Sequence, residues 1–322
     1  MNRLLICGAS GFIGQNLMEH FSKNENFDVT GVIYNSDIPN HLSDLKFIRG
    51  DLKDSSFVNE VCKDKDIILQ FAATTSGAND IVNKPHLHVT DNAIINSLIL
   101  RASYELEVKK FIFPSCTVMY QSSSSSIKEE NLDFNKELQK QYFGVGNTKL
   151  YIEKMCEFYS RIGKTQHIVL RHSNIYGPHD KFDLKHSHML GANVTKILSS
   201  NDHDIINVWG TGEEKRDLLY ISDFVRAVQS SLNIETNFGV YNVGYGRSES
   251  VRKVVEKIIK LSGKNLKIEH DLSKPSIPTN IELDSSKFKN LTGWEVEISL
   301  DEGIALTCDW WKKAKESGNL II

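Results

Sequence analysis

The sequence predicts an α/β fold, a doubly wound parallel sheet with a smaller C-terminal α/β domain laid over it. Three observations carry that expectation: short apolar runs alternate with helical patterns through the first half of the chain, a triple-glycine turn separates the first run from the first helix, and the rhythm loosens after Arg171. The runs at 4–7, 28–34, 46–49, 67–72, 110–113 and 167–171 read as strands. They are apolar on both faces, as parallel strands covered on two sides must be. Segments 12–21, 55–62, 91–105 and 148–161 read as the intervening helices, and such alternation implies right-handed crossovers.

The first strand passes directly into Gly8-Ala9-Ser10-Gly11-Phe12-Ile13-Gly14. In such a turn the first glycine permits a tight bend, the second lets backbone approach a pyrophosphate, and the third lets helix and strand pack closely. Phosphate then sits at the positive end of the helix dipole. The spacing is Gly-x-x-Gly-x-x-Gly, and its place between strand and helix makes it the signature of a dinucleotide-binding Rossmann sheet. The second predicted strand ends at Tyr34-Asn35-Ser36-Asp37. Asp37 is the candidate acid for the ribose hydroxyls of NAD, or else caps a turn. With no Arg or Lys near it in sequence, NAD is expected rather than NADP.

Beyond Arg171, residues 174–218 are rich in Gly, Pro, His and Asp, 240–243 reads as a strand rejoining the main sheet, and one more strand is expected near 266–269. The expected division is 1–173 with about 219–245 as the dinucleotide-binding domain, and 174–218 with 246–322 as a substrate-capping domain. Ser122–Ser126 reads as a solvated, flexible loop, or as a lid, since it follows a strand that ends at the expected site.

With 322 residues, 40% of them hydrophobic, the chain can bury a substantial core. A formal net charge of −3 gives no footprint for nucleic acid or an anionic membrane. No apolar run approaches the ~20 residues that span a bilayer. Met1–Cys7 runs at once into the glycine turn and so reads as a buried strand, not a leader. Cys7, Cys62, Cys116, Cys156 and Cys308 are scattered, with no Cys-x-x-Cys pair, which points to reduced thiols in a soluble, cytoplasmic protein and to no metal site.

Gly50-Asp51-Leu52-Lys53-Asp54 and Phe71-Ala72-Ala73 extend the pattern, as do Leu170-Arg171-His172-Ser173-Asn174-Ile175-Tyr176-Gly177-Pro178, Arg216–Asp223 and Gly293-Trp294. Together with the glycine turn this ordered set resembles the extended short-chain dehydrogenases/reductases that process nucleotide sugars, from about residue 4 to residue 311. Gly177–Phe182, followed by Ser187-His188, is similar to GDP-L-fucose synthases and related GDP-sugar enzymes. The resemblance implies cofactor contacts at Gly8, Ser10, Gly11, Phe12, Ile13, Asp51, Leu52, Phe71, Ala72, Ala73, Lys149 and His172. It implies substrate contacts at Asn174, Lys181, His188 and Arg216. Arg216 would hold a diphosphate with its guanidinium fork, or pair with Glu213, Glu214 or Asp217. His186 and His188 otherwise read as surface loop residues or as a His-x-His metal pair without partners. The resemblance further implies a homodimer or homotetramer assembled through helices 91–105 and 148–161.

The same resemblance locates the chemistry and its departures. The family's Tyr-x-x-x-Lys pair falls on Val145 and Lys149. Lysine can hold the cofactor ribose, but valine moves no proton. The family's catalytic Ser or Thr falls on Cys116, a weaker donor, with Thr117 beside it. Where the dehydratases carry Asp-Glu, this chain has Thr117-Val118, and where fucose synthases carry an epimerising cysteine it has Val118. Dehydration and epimerisation by those routes are not expected, and hydride transfer at one sugar carbon, C4, is the expected step. Tyr142, three residues upstream of Val145, packs against its loop or replaces the missing tyrosine; His188, Thr117 and an ordered water are the other candidates. Three functions remain open: a GDP-sugar or GDP-heptose dehydrogenase or reductase supplying surface polysaccharide, a nucleotide-sugar 4-epimerase, or a cofactor-binding relative without catalysis.

Overall fold

The computed structural model describes residues 1–75, 82–274 and 279–320. Its first half follows the alternation written in the sequence. Strand β1 (Asn2–Cys7) leads through the glycine turn into α1 (Phe12–Phe21), then come β2 (Phe27–Ile33), β3 (Phe47–Arg49), α2 (Ser55–Cys62) and β4 (Ile67–Gln70). Helix α3 (Thr90–Glu105), strand β5 (Lys110–Cys116), helix α4 (Phe143–Ile162) and strand β6 (Gln166–His172) complete it. Helix α2 starts where Asp54 accepts a hydrogen bond from the Ser56 N–H at 2.8 Å, an N-cap readable in the sequence.

Helix α4 begins five residues before its expected start at 148. Phe143-Gly144-Val145-Gly146 contains two poor helix formers, yet a 3₁₀ turn at Lys140–Tyr142 feeds straight into it, and tertiary packing overrides propensity.

The second half holds β7 (Asn174–Tyr176), α5 (Met189–Ser199), β8 (Ile205–Trp209), β9 (Lys215–Tyr220), α6 (Ile221–Ser231) and β10 (Phe238–Val243). It closes with β11 (Ser248–Ser250), α7 (Val251–Ser262), β12 (Lys267–Asp271), α8 (Ser286–Thr292) and α9 (Leu300–Glu316). The seven-stranded sheet has the order β10-β6-β5-β4-β1-β2-β3 and is parallel throughout. Its order reverses between β1 and β4, the switch point where such sheets open a crevice at their C-terminal edge. A three-stranded sheet, β11-β9-β7, and a parallel pair, β12-β8, lie outside it. Strands β7, β8, β9 and β11 are not among the expected elements. β7 and β11 are three residues long and β8 is exposed at alternate positions, so none carries a continuous apolar run.

The double winding is visible within β1. Leu4 and Ile6 enter one core with Leu17, Met18 and Phe21 of α1 and Phe224 and Val228 of α6. Leu5 and Cys7 enter the other with Val58 and Val61 of α2, Ile99 and Leu100 of α3, and Ile152 and Cys156 of α4. Successive side chains point to opposite faces, and both faces are covered.

All five cysteines are free thiols, four of them buried. No helix among the described residues is long and apolar enough to cross a membrane. The serine run is exposed but tied down. Ser123 N–H donates to the Asn280 carbonyl at 3.0 Å, Ser126 Oγ to Glu282 Oε1 at 2.7 Å, and Ile127 bridges Leu283. The expected flexible loop is thus stapled to the 280–283 segment.

Candidate active site

The glycine turn has the shape a dinucleotide needs. Gly8 adopts φ +75°, and a Cβ there would lie 2.7 Å from the Ala72 backbone. A Cβ on Gly14 would lie 2.1 Å from the Gly8 carbonyl oxygen, so only glycine lets α1 pack this closely on the turn. Gly11 caps α1 without a side-chain hydrogen bond, and no acidic residue occupies the first helical turn. The amides at Phe12 and Ile13 therefore face outward as donors beside Ser10, an arrangement that accepts an anion. Asp51 gives one carboxylate oxygen to the Lys53 N–H at 2.9 Å, keeping the other available, while Leu52 is buried in the core.

One sequence inference is corrected here. A cation does lie at the end of β2: Arg49 reaches over from β3, paired with Ile33, and its Nη1 donates to the carbonyls of Tyr34 at 2.7 Å and Ser36 at 3.0 Å. Strand pairing delivers an arginine that lies fifteen residues away in sequence from Tyr34. Its Nη1 is engaged in shaping the loop that carries Asp37.

At the other end of the crevice, Phe71, Ala72, Ala73, Val145, Lys149, Phe113 and His88 line one small cavity of about 20 Å³, enough for a single water. Val145 and Lys149 stand at i and i+4 on the first turns of α4 and share one face, while Tyr142 precedes the helix and closes the 3₁₀ turn Lys140–Tyr142. Lys149 Nζ donates to the Pro114 carbonyl at 2.8 Å and sits 4.6 Å over the Phe113 ring. Burial lowers its pKa, against the pull of Cys116 and Glu153. Cys116 ends β5 directly beside His172 of β6. Burial raises its thiol pKa, opposed by the Lys149 charge and a hydrogen bond from Val118 N–H, so it is a protonated thiol at neutral pH. Thr117 opens the next turn, its carbonyl accepting from Tyr120 N–H at 3.0 Å.

His172 Nδ1 lies 2.7 Å from the Ser173 carbonyl. A carbonyl only accepts, so Nδ1 carries the proton and Nε2 presents a lone pair. Burial, reinforced by Lys149 and His188, pushes the His172 pKa down to about 4. Tyr142 lies within electrostatic reach of both Cys116 and Arg216, and burial raises its pKa above the ordinary phenol value.

The capping side supplies the remaining expected residues. Asn174 Nδ2 donates to the Asp217 carbonyl at 3.1 Å. Lys181 Nζ crosses to the Thr75 carbonyl at 2.9 Å, joining the loop after β7 to the loop after β4. His188 caps α5, and burial lowers its pKa, reinforced by Lys181 and His88. His186 turns away onto Asp183 at 2.8 Å. Arg216 Nη1 donates to Thr279 Oγ1 at 2.7 Å and to two carbonyls, so the expected alternative of an ion pair with Glu213, Glu214 or Asp217 is not the contact made there.

Two motif acids prove architectural. Asp217 accepts backbone N–H donors from Tyr245 at 2.8 Å, Gly246 at 3.1 Å and Leu283 at 3.0 Å, and burial against those donors sets its pKa to about 6. Asp223 accepts from the Glu297 and Ile298 amides, while Trp294 Nε1 donates to its carbonyl at 2.9 Å. Sequence reasoning also missed the role of Arg171. It pairs with Glu153 at 2.7 Å, one helical turn beyond Lys149, and donates to Tyr120 Oη at 2.9 Å, tying α4 to β6.

Residues 4–244 match the NAD-dependent epimerase/dehydratase family. GDP-L-colitose synthase of Yersinia pseudotuberculosis is 25% identical over 319 residues, 98% of this chain and 99% of that protein. GDP-L-fucose synthase of Escherichia coli is 25% identical over 323 residues, 96% of each chain. UDP-glucose 4-epimerase of Thermotoga maritima, solved with UDP-glucose, superposes with a TM-score of 0.86 at 24% identity, over 97% of this chain and 99% of that one, a likeness of fold. A turn shaped for pyrophosphate and a lysine facing a small-residue wall are what NAD requires of a chain, and with the match over residues 4–244 they make this protein a member of the NAD-dependent epimerase/dehydratase family.

Proposed function

We propose that the chain acts at C4 of the sugar in a GDP-sugar or GDP-heptose, as a reductase or dehydrogenase supplying precursors of surface polysaccharide. The full-length similarity to two GDP-sugar synthases supports the substrate class. The observation that carries the chemistry is Tyr142 at the entry to α4, within electrostatic reach of Cys116, with Val145 and Lys149 on the helix's first turns.

When bound, the nicotinamide supplies or accepts the hydride. The chain's own residues do the rest. Gly8, Ser10, Gly11, Phe12 and Ile13 hold the pyrophosphate, Asp51 and Leu52 the adenine side, and Phe71, Ala72, Ala73 and His172 the nicotinamide side. Lys149, whose Nζ has one hydrogen bond to Pro114, turns its remaining N–H donors to the ribose. Tyr142 takes the place that Val145 leaves empty. Its raised pKa keeps the phenol protonated at neutral pH, so it donates to an oxygen gaining charge, which favours reduction of a ketone. Cys116 and Thr117 steady that oxygen. Asn174, Lys181, His188 and Arg216 hold the nucleotide sugar, and 174–218 with 246–322 form the capping domain around it. Subunits meet through α3 and α4, which expose Ile94, Tyr104, Tyr151, Phe158 and Ile162, giving a homodimer or homotetramer.

The test is loss of reduced-nicotinamide absorbance when the purified protein meets a GDP-4-keto sugar. Tyr142→Phe should lower kcat by about 10²–10⁴-fold while NAD affinity holds, and Val145→Tyr in that background should restore part of it. Undiminished turnover in Tyr142→Phe would remove it as the proton carrier. Product formed with no net change in cofactor absorbance would favour the 4-epimerase, to whose fold the chain is similar. A protein that binds NAD and turns over no nucleotide sugar would be a non-catalytic relative.

A further inference from the structure

Beside α1, three side chains from distant parts of the chain converge. Glu19 lies in the last turns of α1, His41 in the 3₁₀ turn Asn40–Leu42 after β2, and His179 in the loop after β7. One ligand atom from each lies within 4.8 Å of the other two. We propose that Glu19, His41 and His179 bind a single divalent transition-metal ion of the zinc class.

Beside that proximity, four observations support the site and one constrains it. The constraint is the ring stack: the two imidazoles lie with centroids 4.3 Å apart and planes 10° from parallel, and since each lone pair lies in its ring plane, His41 rotates out of the stack for both to meet one ion. Among the described residues neither ring makes a hydrogen bond, so no protein partner commits their nitrogens. Burial lowers the pKa of His41 despite Glu19 beside it, and takes His179 down to about 4, so both present the neutral, lone-pair form that ligates a metal. The His179 ring is also held in place, since Trp310 of α9 packs edge-on against it at 5.0 Å and its backbone takes φ +69°, rare for a residue with a side chain. Glu19 has one carboxylate oxygen near Lys23 at 3.4 Å, which leaves the other for a ligand.

Two imidazoles and one carboxylate match the ligand preference of zinc and its neighbours, not the all-oxygen shells of magnesium or calcium. Tetrahedral coordination at about 2.0–2.2 Å brings ligand atoms to roughly 3.4 Å from one another. The present spacing therefore closes by about an ångström on binding, within reach of side-chain rotation at the half-exposed Glu19 and the exposed His41. Three protein ligands leave the fourth position to water. The ion would be structural. It would staple α1 and the β2–β3 connection to the loop that carries Lys181, two residues beyond His179, and so to the contact between Lys181 and Thr75 across the cleft.

No spacing in the sequence announces this site, because its members stand at positions 19, 41 and 179. The experiment is titration of the full-length, metal-free protein with Zn²⁺ by calorimetry and with Co²⁺ by visible absorption. One equivalent should bind with a micromolar or tighter Kd, an intense d–d spectrum should report a four-coordinate site, and the melting temperature should rise with Zn²⁺. His41→Gln, His179→Asn and Glu19→Gln should each weaken binding about 10- to 100-fold. Asn suits the left-handed backbone at 179, and Glu19→Gln leaves the ring stack intact, so retained apo stability with lost affinity separates ligation from folding. Absence of saturable binding, or affinity unchanged in the three variants because other histidines hold the ion, overturns the proposal.

Discussion

Replacing Glu153 by Gln tests what holds α4 in place. Arg171 meets Glu153 through two donors, Nη2 to Oε2 at 2.7 Å and Nε to Oε1 at 3.1 Å, and each side chain is only 6% exposed. Glutamine keeps the shape and removes the charge, stranding a buried guanidinium. Breaking one side of such a pair costs about 3–5 kcal/mol, more than the pair contributes over an apolar replacement. With an unfolding entropy near 2.1 cal/mol/K per residue, 322 residues give about 0.7 kcal/mol/K, so the melting temperature should fall by about 4–7 °C. Adding Arg171→Met should recover part of that loss, because the unpaired charge is gone. Arg171 also serves Tyr120 Oη at 2.9 Å and the Glu129 carbonyl at 3.2 Å, so recovery is incomplete. The assay is thermal denaturation of wild type, both single variants and the double, read as a double-mutant cycle. A Glu153→Gln protein melting within about 1 °C of wild type, or strictly additive effects, would refute the reasoning.

Three more outcomes follow from the geometry. Lys149→Met removes the ammonium that faces the cofactor pocket and donates to Pro114, and should weaken NAD binding about 10- to 100-fold by calorimetry, as expected for a charged hydrogen bond of roughly 1.5–3 kcal/mol. Gly14→Ala places a Cβ 2.1 Å from the Gly8 carbonyl oxygen, so NAD binding and melting temperature should fall together. His167 is fully buried, its Nδ1 on the Thr165 carbonyl at 2.9 Å, and burial lowers its pKa to about 4. The unfolded chain takes up that proton near pH 6.5 and the native one near 4, so stability falls as pH drops through this window, by at most about 3 kcal/mol for this group. His167→Phe should therefore show a shallower loss of melting temperature between pH 6.5 and 4.5 than wild type.

Much of the fold was legible because its signals are local. Helices 12–21 and 55–62 were placed to the residue, since their starts are written by a glycine turn and by Asp54. The buried strands betray themselves by apolar runs that need no partner to be recognised. Strands β7, β8, β9 and β11 were missed because their pairing depends on residues dozens of positions away. The glycine turn was legible for the same local reason, but the place of Ala72, Ala73 and Val145 in the small cavity's lining was legible only once the strands and helix around them were placed. That Tyr142 lies near Cys116 and Arg216 was not, because a side chain at a helix entry turns with the packing around it. Arg49 beneath Tyr34, Asp217 among three amides and the Glu19-His41-His179 cluster were equally hidden.

The sequence by itself determined the alternation of elements and the glycine turn, because backbone propensity, side-chain period and turn chemistry act over a few neighbouring residues. Only the tertiary structure decided which groups share the cleft, which acids merely hold loops, and which histidines stack. Those outcomes depend on long-range register and burial, which bring together atoms that no local pattern relates.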